Sequence, residues 1–255
     1  MSAALNKLTM VTCYDATFAK ICADAECFDY LLVGDSLGMV ISGESSTTKV
    51  GMKEILHHAS AVARGLQSSK VLKKPTLVVD MPIHSYEDPD LALENAKLLV
   101  RAGADMVKVE GDVSDVVKKL RDYKIRVCGH IGLTPQSIQD YKVQGRSELE
   151  AERLLREAKN LEKAGVEILV LEMLPASLAK KITESIQIPT VGIGAGVECS
   201  GQVLVLYDLL GFNPDFKPKF LKTYLDGYSL IKIALQTYAA DVQESRYPSD
   251  ETSFK

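Results

Sequence analysis

Apolar residues in this chain fall into two alternating patterns: short unbroken runs, and longer stripes spaced by threes and fours. The runs cover 8–14 (LTMVTCY), 30–34, 76–80, 106–110, 125–129, 167–171, 188–193 and 203–206. Segments this short and apolar on both faces read as buried parallel strands. Between them lie helical stripes, the clearest being Met52, Ile55, Leu56, Ala59, Val62, Ala63 and Leu66,. Further helices are predicted over 15–28, over 88–102 with Gly103 as a stop, over 112–123, from Ser147 to Gly165, and from Pro175 to about Ile186,. Ser147 and Glu150 have the spacing of a capping box,. A last stripe, Phe220, Leu221, Tyr224, Leu225, Tyr228, Ile231, Leu235, Tyr238 and Val242, predicts a long amphipathic helix over 217–242. Segments 42–51 and 131–146 read as loops, and the polar tail after Ser245 as loose chain,.

Eight strands alternating with helices imply a parallel sheet covered on both faces. Eight such repeats in 255 residues fit a closed (β/α)8 TIM barrel of the α/β class better than an open sheet. The alternative, a doubly wound sheet, wants a glycine-rich phosphate loop after its first strand, and LTMVTCYDATFAK carries none. No linker or shift in composition marks a second domain, so residues 1–255 are expected to form a single domain with a long C-terminal helix.

Composition narrows the partners. Apolar residues make up 46% and charged residues 25%, as in ordinary globular proteins. A net charge of −4 with scattered Lys and Arg argues against nucleic acid and against a polybasic membrane contact. No apolar run reaches the roughly 18 residues a membrane span needs. The first residues show neither signal core nor transit segment, so a cytoplasmic location is expected,. Cys13, Cys22, Cys27, Cys128 and Cys199 are odd in number and widely spaced, which suits free structural thiols.

The chemistry lies at the strand ends, which in such a barrel converge on one mouth. Asp35 and Ser36 follow the second strand, Asp80 ends the third, Lys108 and Glu110 sit in the fourth, His130 follows the fifth, and Glu172 the sixth. Any single acid there could merely cap a helix. Four carboxylates and one lysine in one mouth instead call for a cation to organise them. Asp35, Asp80 and Glu110, on adjacent strands with no His or Cys company, read as hard-oxygen ligands of the kind Mg2+ takes, directly or through water. Glu172, from the far side, is the better candidate for a free base. Lys108 points the same way as Glu110 and can reach a substrate carboxylate or oxyanion; a Schiff-base role is its rival. His130 is either a proton donor or a hydrogen-bonding rim residue, while His57, His58 and His84 read as structural. Gly194-Ala195-Gly196 serves equally as a tight turn or an anion-facing run of amides,.

Several motifs in order resemble the ketopantoate (3-methyl-2-oxobutanoate) hydroxymethyltransferase family. They are Val33-Gly34-Asp35-Ser36-Leu37-Gly38-Met39, Val79-Asp80-Met81-Pro82, Val107-Lys108-Val109-Glu110-Gly111, residues 129–137 (GHIGLTPQS), Tyr141-Lys142-Val143-Gln144-Gly145-Arg146, and Gly192-Ile193-Gly194-Ala195-Gly196. The resemblance spans nearly the whole chain. It implies a Mg2+-dependent barrel enzyme that moves a one-carbon unit from 5,10-methylenetetrahydrofolate to 3-methyl-2-oxobutanoate, in pantothenate biosynthesis. Position by position it implies Asp35, Asp80 and Glu110 at the metal, Asp35, Ser36, Asp80 and Lys108 at the substrate, and Glu172 as proton acceptor. It also implies a large homo-oligomer, in which the C-terminal helix could serve an interface.

The chain departs from the family pattern away from these positions: a shortened segment at Ile138-Gln139-Asp140, Ser46-Thr47-Thr48-Lys49-Val50, Cys199-Ser200-Gly201-Gln202, Tyr207-Asp208, and Thr252 in the tail. These touch the folate contacts, lid and subunit packing rather than the chemistry at C3. Two rival readings are a phosphoenolpyruvate mutase or isocitrate lyase type of enzyme, whose Lys-Cys-Gly-type loop is missing, and a non-enzymatic scaffold barrel, which would have lost its strand-end carboxylates.

Overall fold

Residues 7–137 and 142–254 are described by a computed structural model. Eight segments are strands: β1 (Leu8–Thr12), β2 (Tyr30–Val33), β3 (Thr76–Asp80), β4 (Met106–Glu110), β5 (Val127–Gly132), β6 (Ile168–Glu172), β7 (Thr190–Ile193) and β8 (Gly201–Leu204). They pair in sequence order, all parallel, and β8 returns to β1 to close the barrel. The helices are α1 (Ala16–Asp24), α2 (Leu37–Val40), α3 (Met52–Ser68), α4 (Pro89–Arg101), α5 (Ser114–Asp122), α6 (Glu148–Ala164), α7 (Ala176–Ser185), α8 (Leu206–Leu209) and α9 (Gly227–Gln243). The chain divides into two compact units, Met1–Val205 and Leu206–Lys255. The closed barrel lies within the first.

Strand parity decides what the barrel holds. Met10, Leu32, Val78, Met106, Cys128, Ile168, Val170, Val191 and Val203 form one buried cluster inside it. Successive side chains of a strand alternate in direction, so the residues two further on continue the same inward face. From Val78 that step reaches Asp80, from Met106 Lys108 and then Glu110, from Cys128 His130, and from Val170 Glu172. The apolar core therefore grades directly into the polar mouth. The odd-parity partners, such as Val79, Val107 and Leu169, are wholly buried as well; they face the helical layer.

The expected helices form with the expected buried stripes, including Ile55, Ala59, Val62, Ala63 and Leu66 on α3. Gly65 breaks that stripe for a reason: a Cβ there would lie 2.7 Å from the Ala19 side chain and closer still to the Ala16 carbonyl, so α1 and α3 pack backbone to backbone. Ser147 caps α6 by accepting from the Glu150 amide while Glu150 accepts in return, each at 3.3 Å.

Four expectations are corrected. The eighth strand is Gly201–Leu204 rather than 203–206, and Leu206 already belongs to the short helix α8. Closure sets this position, because Leu8 pairs with Gly201 and any Cβ at 201 would strike the Leu8 carbonyl. The last helix starts at Gly227, where the Asp226 side chain caps Ser229 at 3.3 Å; Pro218 interrupts the residues before it. The fifth strand runs on through His130 to Gly132, placing His130 inside the sheet rather than after it. The segment 42–51, read as loop, contains a short helical turn at Thr47–Lys49 and follows another at Leu37–Val40. The shortened segment at Ile138-Gln139-Asp140, with Tyr141, lies outside the described residues. The five cysteines are free, with Cys27 exposed and the others buried.

Candidate active site

The mouth is built from the ends of β2 to β6. Asp80 and Lys108 are paired neighbours on β3 and β4, Glu110 and His130 on β4 and β5, and Gly132 and Glu172 on β5 and β6. Lys108 Nζ stands 2.5 Å from Asp80 Oδ1 and 3.6 Å from Glu110 Oε1. The other Asp80 oxygen accepts from the Asp35 backbone N–H at 3.0 Å. His130 Nδ1 lies 3.0 Å from Glu110 Oε1. On its other side Nε2 is 3.3 Å from Glu172 Oε2, off the line of a hydrogen bond, so it is buried without one. Asp35, Asp80, Lys108, Glu110 and His130 are all buried, and Glu172 is half-buried.

Glu172 is therefore not isolated across the barrel. It is the open end of a chain that runs Asp35, Asp80, Lys108, Glu110, His130, Glu172. Gly132 makes room for it: its φ is +101° and a Cβ would collide with the Glu172 carbonyl. Ser36 follows Asp35 with its hydroxyl 2.8 Å from the Tyr14 phenol.

Loops from β3 and β5 brace the chain. Tyr86 donates to Gln136 Oε1 at 2.7 Å and accepts from the Glu110 amide at 3.4 Å. Gln136 donates its backbone N–H to Glu110 Oε2 at 3.2 Å and its side chain to the Met81 carbonyl at 3.1 Å. Tyr86 and Gln136 carry no periodic signal; the one mark on Gln136 is its place in the stretch 129–137 (GHIGLTPQS). His58 lies 2.7 Å from the Tyr14 carbonyl, and exposed His84 pairs with exposed Glu87.

Crowded charge in a buried mouth shifts five of these groups, Asp35, Asp80, Lys108, Glu110 and His130. Burial, then the charges of Asp80 and Glu110, push the Asp35 carboxyl well above the usual carboxylate range. Burial raises Asp80 too, against the opposing charge of Lys108. Burial alone would lower Lys108, but Asp80, Glu110 and Asp35 together raise it well above an ordinary lysine. Such a lysine stays a cation, which disfavours the Schiff-base role. Glu110 is lowered, because His130 and Lys108 outweigh its burial. His130 is pushed up to about 9, since burial, which lowers it, is outweighed by Glu110.

The donor set suits a hard divalent cation. Three carboxylates come from adjacent strand ends, and Asp35 Oδ2 is buried without a hydrogen-bond partner, the kind of oxygen that is costly to leave unpaired. Among the described residues no three His, Cys, Asp or Glu groups already close round one point, for Lys108 and His130 engage Asp80 and Glu110.

A closed parallel barrel with a buried mouth of acids, a lysine and a histidine defines a (β/α)8-barrel enzyme. Its fold is shared with a putative phosphonomutase from Burkholderia cenocepacia, at TM-score 0.61 and 14% identity over 94% of this chain and 93% of that one. Phosphonopyruvate hydrolase solved with oxalate and Mg2+ matches at TM-score 0.60 and 11% identity, over 96% of this chain and 88% of that one. The family is narrower: the ketopantoate hydroxymethyltransferase family model matches residues 1–250, and the chain belongs to that family. The 3-methyl-2-oxobutanoate hydroxymethyltransferase of Caldicellulosiruptor saccharolyticus is 48% identical over 98% of this chain and 94% of its own length. The enzyme of the same name from Alteromonas mediterranea is 45% identical over the same shares.

Proposed function

We propose that this protein is a 3-methyl-2-oxobutanoate hydroxymethyltransferase, forming 2-dehydropantoate with 5,10-methylenetetrahydrofolate as one-carbon donor, in pantothenate and coenzyme A biosynthesis. The observation that carries the reading is the buried chain from Asp35 to Glu172, on a chain whose family and named relatives share that activity.

Asp35, Asp80 and Glu110 would hold Mg2+, supported by their hard oxygens and the unpartnered Asp35 Oδ2. When bound, the ion supplies electron withdrawal from the keto acid, which acidifies C3 and is worth several kcal/mol. Lys108, whose ammonium form the surrounding acids favour, holds the substrate's oxyanion, with Asp35, Ser36 and Asp80 completing the contacts. Glu172 is the half-buried acid at the open end of the chain, and its carboxylate takes the C3 proton. Water cleaves the two C–N bonds that hold the folate's methylene carbon, giving formaldehyde and tetrahydrofolate; the enolate carbon bonds to that carbon, and its oxygen takes the proton back from Glu172 as the new hydroxyl.

The chain is taken to work as one barrel domain, in the cytoplasm, with neither nucleic acid nor membrane as partner. No helix among the described residues is long and apolar enough to cross a membrane. A large homo-oligomer fits α9, where Leu230, Ile233, Leu235 and Tyr238 are each more than half exposed, since apolar faces of this kind mark association surfaces. Sedimentation of the full chain as a monomer would remove that part.

The deciding experiment is deuterium exchange at C3 of 3-methyl-2-oxobutanoate, without folate. The wild type should exchange with Mg2+ and stop in excess EDTA. Glu172→Gln should bind the acid, seen as a ligand-induced rise in Tm, without exchanging. Undiminished exchange in Glu172→Gln would remove that residue from the role, and EDTA-resistant exchange would exclude the metal.

A further inference from the structure

We propose that Tyr14 is a positioning residue for the 2-oxo acid: its phenol donates to the Ser36 hydroxyl and turns that hydroxyl's own proton toward the acid's oxygens. The inference rests on the reading of Ser36 as a substrate contact.

Three observations point the same way. Ser36 occupies the N-cap position of α2, yet it has helical dihedrals (φ −54°, ψ −18°) and its side chain caps nothing. Serine at that position ordinarily accepts from an amide of the first turn. Here the hydroxyl is spent on Tyr14 instead, at 2.8 Å. Second, Ser36 Oγ and Asp80 Oδ2 each lie 3.2 Å from where a Gly34 Cβ would stand. The hydroxyl is thus in the mouth, beside the acid that Lys108 holds, and the bare Gly34 leaves it uncovered.

Third, Tyr14 is anchored as a fixed donor. It is 1% exposed, its carbonyl is held by His58 Nδ1 at 2.7 Å, and the preceding Cys13 amide donates to the Leu32 carbonyl at 2.8 Å. That last bond extends the β1–β2 pairing past the strand end, so the register carries Tyr14 opposite Gly34, two residues before Ser36. A phenol is the more acidic of the two hydroxyls and so the better donor. A serine hydroxyl that accepts from it keeps its single proton for an anionic ligand, which a carboxylate or enolate oxygen satisfies.

The test is steady-state kinetics on the full-length enzyme with Mg2+ and the folate donor, for Tyr14→Phe, Ser36→Ala and the double variant. Tyr14→Phe should raise KM for 3-methyl-2-oxobutanoate roughly five- to twentyfold while kcat moves less than about threefold. Ser36→Ala should do the same, and Tyr14→Phe should add nothing in the Ser36→Ala background. A 4-aminophenylalanine introduced at position 14, which restores a donor, should return KM to within about threefold of wild type. If Ser36→Ala raises KM and Tyr14→Phe does not, the role of Tyr14 is wrong. If Ser36→Ala leaves KM unchanged, the substrate contact itself is wrong. Multiplicative effects in the double variant, or no recovery with the amino analogue, would reduce Tyr14 to packing; these two readouts also decide the matter should Tyr14→Phe lose stability.

Discussion

Lys108 and Asp80, neighbours across β4 and β3, meet at 2.5 Å with side chains only 5% and 2% exposed. A buried ion pair is costly to break from one side, because the partner left behind keeps its desolvation penalty. Lys108→Met should therefore lower stability in EDTA by roughly 3 kcal/mol, and Mg2+ should raise its Tm more than it raises that of the wild type. Thermal unfolding with and without Mg2+ checks this; equal melts for both proteins in EDTA would count against the pair.

His130 makes a pH-dependent contribution. Its pKa is about 9 in the fold, burial being outweighed by Glu110, against about 6.5 in an unfolded chain. The raised value means its stabilisation is complete below pH 6.5 and is lost as pH climbs through 9. Metal-free wild type should lose on the order of 3 kcal/mol across that window, and His130→Gln should lose markedly less. Urea unfolding at either end of the range measures both, and parallel profiles would refute the assignment.

Gly132 has no room for a side chain. Its φ of +101° and the Glu172 carbonyl above it make Gly132→Ala strained in both conformation and contact. The expected cost is roughly 2–4 kcal/mol, with C3 exchange falling more than substrate binding, because the strand bearing Glu172 must move. A variant with wild-type Tm and exchange would show that the backbone yields there freely.

On the outer wall, Glu167 accepts from Arg126 Nε at 2.7 Å and from Arg121. Burial pushes its carboxyl up, but the two arginines outweigh that and hold it below the usual range. The group is largely solvated, so Glu167→Gln should cost only about 0.5 kcal/mol at neutral pH. The lowered value places that difference above the unfolded carboxylate pKa, and it should vanish as pH falls through the folded one. Chemical denaturation from pH 7 down to 3 follows it; a deficit that persists at the acid end would rule out the ion pairs as its source.

The acids of the mouth were legible because each ends an apolar run, and alternation along a strand carries Val78 to Asp80 and Met106 to Glu110 without tertiary information. What stayed hidden depends on closure or on loops. Val203-Leu204-Val205-Leu206 is the denser apolar run, yet β8 starts at Gly201 because only a residue without Cβ can lie against Leu8. The stripe of Phe220, Leu221, Tyr224 and Leu225 has helical spacing, but the helix waits for the Asp226 cap. Tyr86 and Gln136 reach the site from positions with no repeat to announce them, and Tyr14, at the end of the first apolar run, reads there as one more strand residue. The bridge from His130 to Glu172 needs β5 and β6 side by side, which the order of residues alone does not state.

The shared inward face of core and mouth has a bearing on how this sequence can change. Deleting or inserting one residue within β4 would exchange Lys108 and Glu110 for Val107 and Val109, stripping the mouth of its lysine and one acid and driving both charges into the helical shell in one event. Such a frame error ruins folding and chemistry together, so no half-active intermediate survives it. Length variation is thereby confined to the connecting loops, where the count of residues carries no parity.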